Sequence, residues 1–224
     1  MEYIIYVINQ SAETQQFWLF LAQAQGFEGN QVFANSSAYM TVPANFPEGP
    51  SFSIPVRYLV VAGAQNNPVG LDIMIAPGYQ LNTELDEQWN IQYAEPTQHR
   101  PPTMRIAGSI ANPNALLLQT LPYDKDEEAQ ANWYANQSFG IETPQGYIGM
   151  TWSPNPGQPL TLTPNLTFYV AIGDYGVNQL ASLEQVANNA AVVTAPNSFD
   201  AGNEATVTCT QEGRWIVAPG SPVP

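Results

Sequence analysis

The chain has 224 residues, of which 44% are hydrophobic and only 11% charged, with a formal net charge of −14. Its five basic residues, Arg57, Arg100, Arg105, Lys125 and Arg214, form no cluster. Clustered cations neutralise phosphates, so this composition excludes a duplex nucleic-acid surface and argues against docking on anionic membranes.

The opening YIIYVINQSAETQQFWLFLAQ, residues 3–23, has two apolar runs around a polar knot. It has no basic front end, and neither run approaches the roughly 20 apolar residues of a spanning helix. β-Branched and aromatic residues fill both runs, and Asn9-Gln10-Ser11 supplies turn chemistry between them. The segment therefore predicts the first hairpin of a soluble domain, its second strand buried on both faces. Cytoplasmic residence, or release without a signal peptide, is the corresponding expectation.

Strand-like runs separated by turn residues then recur. Residues 38–42, 51–54, 56–62 and 71–75 read as strands, with turns at NFPEGP (45–50) and GAQNNPVG (63–70). Trp89, Ile91 and Tyr93 alternate onto one face, and 104–110 is expected to pair beyond the loop TQHRPPT. Residues 111–137 read as a long, partly helical excursion containing the acidic run Asp124–Glu128. A hairpin is predicted from 139–142 and 147–152 around Thr143-Pro144-Gln145-Gly146. Residues 166–172, 191–194, 205–210 and 214–217 complete the strands, with a short helix or turn at 183–189 and a frayed tail at 218–224. The whole predicts an all-β fold: a two-sheet antiparallel β-sandwich with long end loops and little helix, forming one domain over residues 1–217.

The stretch TFYVAIGDYGVNQLASLEQVANNAAVV (167–193), then ATVTCTQEGRWIV (205–217), GYIGMTW (146–152) and the opening YVINQSAETQQFWLFLAQ resemble the RhiA-like proteins. The likeness touches both ends of the chain and thins through residues 80–137. It implies a bacterial-type, host-associated, soluble β protein and supplies neither an activity nor a catalytic residue.

The residues themselves narrow the chemistry. One cysteine, Cys209, and one histidine, His99, make up neither a disulfide nor a zinc site, and no Gly-x-Ser-x-Gly elbow accompanies them. Calcium at Asp124–Glu128 lacks the spacing and glycine of an EF-hand. No cofactor is expected. Carboxylates for glycoside hydrolysis could come from Asp72, Glu142 and Asp174, an enzyme being the third choice. With 19 Asn and 19 Gln, the chain's polarity rests largely on neutral amides. Aromatic rings beside such amides suit sugars, whose hydroxyls bond the amides while their apolar faces stack on the ring. Trp133, Tyr134, Asn136, Trp152, Asn155 and Tyr175 are the expected ligand-binding residues, whereas Trp18, Trp89 and Trp215 continue apolar patterns and read as core. The expectation is a non-enzymatic binding protein with a glycan ligand. The alternative is a self-assembling or accumulation protein, a homo-oligomer held by aromatic contacts.

Overall fold

The computed structural model describes residues 1–29, 31–46, 49–76 and 78–222. In chain order the strands are β1 (Glu2–Asn9), β2 (Gln15–Leu21), β3 (Val32–Ser36), β4 (Ala38–Val42), β5 (Ser51–Pro55), β6 (Tyr58–Gln65), β7 (Tyr79–Thr83), β8 (Glu87–Gln92) and β9 (Thr103–Ser109). They continue as β10 (Leu116–Thr120), β11 (Tyr134–Thr143), β12 (Gly146–Trp152), β13 (Pro159–Leu162), β14 (Thr167–Ile172), β15 (Gln179–Ser182), β16 (Ala191–Thr194), β17 (Glu204–Cys209) and β18 (Trp215–Pro219). Among the described residues two short α-helices, α1 (Asp126–Ala131) and α2 (Leu183–Asn189), and a 3-10 turn at Pro96–Gln98 interrupt them.

The fold is all-β, but among the described residues it has four sheets rather than two. Their orders are β18-β17-β1-β5, β13-β10-β8-β9, β15-β3-β12-β11-β6-β7 and β16-β14-β2-β4. Nor is pairing wholly antiparallel: β1 runs parallel to β17, and β10 to β8. One apolar cluster draws on all four sheets through residues such as Ile5, Leu19, Trp89 and Phe139.

The opening segment forms two strands that do not pair with each other. β1 joins β17 and β5, while β2 joins β14 and β4. The link is an arch held by the buried Asn9 side chain. Asn9 Nδ2 donates to the carbonyls of Glu13, Val42 and Pro43, and its Oδ1 accepts from the Ser11 hydroxyl at 2.6 Å. Burial of β2 on both faces holds: Phe17, Leu19 and Leu21 enter the main core, while Trp18 and Phe20 pack with Val186 of α2 in a second cluster.

Trp89 and Ile91 on β8 and Tyr93 beyond its end share the core face, β9 pairs with β8, and β11 and β12 form the expected hairpin. Other expectations need correction. Residues 111–137 contain β10, α1 and the start of β11. The acidic run opens α1, where Asp124 Oδ1 accepts the N–H groups of Asp126 and Glu127. Strands β3, β7, β13 and β15 are too short and polar to announce themselves, and the last three are sheet edges. β18 extends to Pro219, two residues into the expected tail, and the Gly220 N–H donates to Glu204 O. Pro47 and Glu48 of the NFPEGP turn and the last two tail residues lie outside the described residues.

Residues 71–75 are not a strand of their own sheet. They belong to a strap that leaves β6 and crosses to the β15 edge before β7. Asp72 N–H donates to Leu180 O at 2.8 Å, Leu180 N–H to Ile73 O at 3.1 Å, and Ile75 N–H to Asn178 O at 3.3 Å. One residue further, Ala76 N–H donates to Gln65 Oε1 on β6 at 2.9 Å. The strap thus ties the two sides of the six-stranded sheet together across its outer face.

Candidate functional site

Side chains alternate across a strand, so β11 and β12 each present two faces. Inward go Ala135, Phe139 and Ile141 of β11 and Ile148, Met150 and Trp152 of β12, all in the main core. Outward go Asn136, Ser138, Gly140 and Glu142 of β11 and Tyr147, Gly149 and Thr151 of β12. Register places Gly140 opposite Gly149, Ser138 opposite Thr151 and Glu142 opposite Tyr147.

The paired glycines make room for Tyr147. A Cβ at Gly149 would stand 2.5 Å from the Tyr147 hydroxyl, and one at Gly140 would stand 2.8 Å from its Cζ. The phenol therefore lies against bare backbone. Its hydroxyl is buried and has no hydrogen-bond partner. Asn136, 1% exposed, likewise leaves both Oδ1 and Nδ2 unpartnered, pressed towards Gly63 on the next strand. Buried polar groups are nearly always paired, so two orphans on one sheet face mark it as unusual.

Above this face lies a cavity of about 470 Å³. Asn35, Ser138 and Tyr147 belong to its floor, Ile75, Ala76 and Val177 to its apolar roof, and Glu142 and Asn178 also line it. Burial, with the Glu142 charge as a smaller cause, pushes the Tyr147 phenol well above its ordinary range. It therefore stays protonated and can both donate and accept a hydrogen bond. Desolvation also raises Glu142. Among the lining residues Glu142 is the one carboxylate, and none is basic. Asp72 lies in the strap and Asp174 on the 173–178 loop, and neither joins Glu142 in the lining. This arrangement offers neutral hydrogen bonding and assembles no carboxylate pair.

The residues expected from the sequence are dispersed. Trp133 is half-buried and stacks on His99, with ring centroids 5.1 Å apart and an interplanar angle of 22°. Tyr134 opens β11, and Asn136 follows on the cavity side of the sheet. Trp152, 1% exposed, packs edge-on against Phe27 in the core and has no free face for a sugar. Asn155 sits in the β12–β13 loop, its carbonyl accepting the Gln158 N–H. Tyr175 packs edge-on against Trp18 and Phe20, but its loop contributes Val177 and Asn178 to the cavity. Trp215, read as core, packs partly buried against the main core, edge-on to Phe17, and also lines an open groove of about 570 Å³ with Gln15, Asn189 and Gln211. Its indole N–H donates to Asn189 O.

Sequence reasoning missed Tyr147, Ser138 and Asn35. A signal was present in GYIGMTW, where Tyr147, Gly149 and Thr151 alternate with Ile148, Met150 and Trp152. A polar or small residue at every second position, flanking a tyrosine, marks a face not used for core packing.

Among the described residues no three His, Cys, Asp or Glu side chains converge to hold a metal ion, and no helix is long and apolar enough to cross a membrane. No family model, curated protein or solved structure matches the chain.

Proposed function

We propose that the protein binds a neutral, hydroxyl-rich ligand, of the glycan class, in the cavity beneath the strap and releases it unchanged. The observation that carries this reading is Tyr147, whose side chain lines a cavity of ligand size while its protonated hydroxyl lies buried against Gly149 without a partner in the chain. Ligand sites combine apolar walls with a few placed polar groups. Here the roof meets C–H faces while the floor meets hydroxyls. Glu142 in the lining and the net charge of −14 disfavour acidic sugars. The RhiA-like resemblance brings no catalytic residue to the cavity.

A glycan array probed with the full chain tests the proposal. Neutral glycans are expected to bind and uronate-rich or sialylated ones not to. Tyr147→Phe removes one buried hydrogen bond and should weaken the best binder by about tenfold. An array on which no glycan rises above background overturns the reading.

A further inference from the structure

We infer that the cavity floor reads a vicinal diol in one orientation, and that Thr151, which does not line the cavity, is the positioning residue that sets this reading. The inference rests on the assignment of the cavity as a polyol site and names the group recognised there.

The argument is a count of protons. Thr151 Oγ1 is 0% exposed and donates to Asn35 Oδ1 at 3.0 Å. Its single proton is thereby used. Ser138 Oγ lies 2.7 Å from the same Thr151 oxygen, so the proton in that bond belongs to Ser138. A directed chain results, running from Ser138 through Thr151 to Asn35 across the adjacent strands β11, β12 and β3. Both end groups line the cavity. Ser138 has given away its proton and offers the cavity lone pairs alone. Asn35 turns its oxygen to Thr151 and so presents its Nδ2–H donors to the cavity.

The floor therefore requires a donor opposite Ser138 and favours an acceptor opposite Asn35. Two hydroxyls on adjacent ring carbons satisfy both, because one rotates to donate and its neighbour to accept. The ring C–H groups then meet Val61, Ile75 and Val177. Because Thr151 is buried, no competing water contact in bulk solvent loosens the chain, and the polarity of the floor is built in before any ligand arrives.

The test uses trans-1,2-cyclohexanediol and its dimethyl ether, which accepts but cannot donate, titrated into ¹⁵N-labelled full-length protein and followed by NMR. The diol is expected to shift the Asn35 side-chain amide and the backbone resonances of Ser138 and Tyr147. The diether should bind about tenfold more weakly, the worth of one lost hydrogen bond. Thr151→Val frees the Ser138 proton, so the Ser138 hydroxyl can then donate to an ether oxygen. The preference for diol should shrink to about threefold or less, and Thr151→Ser should restore it. Should the valine variant fail to fold, the wild-type ratio of diol to diether decides. Equal binding of the two by wild type overturns the directional inference and leaves the cavity assignment standing. No shift at the cavity with either probe, together with an array lacking any binder, overturns both.

Discussion

The two faces of the β11–β12 hairpin share one backbone, yet they obey different rules. Inward, Phe139, Ile141, Ile148 and Met150 are fully buried and closely packed. Outward, Ser138, Thr151 and Tyr147 carry hydrogen-bonding groups, two glycines hold the surface flat, and the Tyr147 hydroxyl is buried without a partner. The inner face contributes stability through apolar burial. The outer face retains a costly arrangement that folding alone does not require. Such a contrast within one hairpin separates the face that holds the protein together from the face proposed to bind a ligand.

The contrast is sharpest for Phe139→Ala on the inner face. Emptying that core position should cost about 3–5 kcal/mol. Thermal unfolding should register it as a loss of about 2–4 °C per kcal/mol, while the folded fraction keeps its ligand affinity. Gly149→Ala, on the outer face, comes next. Its new methyl would stand 2.6 Å from Phe139 O as well as against Tyr147, so about 1–3 kcal/mol is expected from overpacking, accompanied by loss of binding.

Tyr147→Phe should move stability the other way. Removing an unpartnered buried hydroxyl is expected to stabilise the unliganded protein by about 1 kcal/mol while ligand affinity falls. A denaturant midpoint that drops instead would show that the hydroxyl is satisfied in the folded chain and would erase the contrast between the faces.

The smallest effect is that of pH. Desolvation raises Glu142 above its ordinary value of 4.5. The folded form then binds a proton more readily than the unfolded form. The contribution of Glu142 to stability is fully present below about 4.5 and is lost as pH rises through the higher folded value. Glu142→Gln should flatten that part of the stability–pH curve, whereas Ile141→Val, its inward neighbour, should lower the curve without changing its shape.

Much of the inner face was legible in the sequence. Trp89, Ile91 and Tyr93 declare a buried face by alternation, and the unbroken run Phe17–Leu21 declares a strand covered on both sides. The Thr143–Gly146 turn was equally readable, since Gly146 adopts a φ of 136° that other residues avoid. The outer face was harder. Trp152 stands beside a loop in sequence, yet its position in the period-2 pattern turns it inward. Trp215 continues an apolar pattern, yet it lines an open groove. Aromatic residues near turns suggest exposure, but the face on which each one falls decides it.

What the sequence determined alone was the all-β class, the two-faced character of its strands and an acidic, amide-rich composition, because alternation and composition are read directly along the chain. Only the tertiary structure decided that β1 and β2 enter different sheets, and that a strap covers Tyr147, Ser138 and Asn35. Those outcomes depend on contacts such as Asp72 with Leu180 and Thr151 with Asn35, between residues far apart in the chain. A period of two separates the faces of a strand, but what lies over each face is set by the return of distant segments.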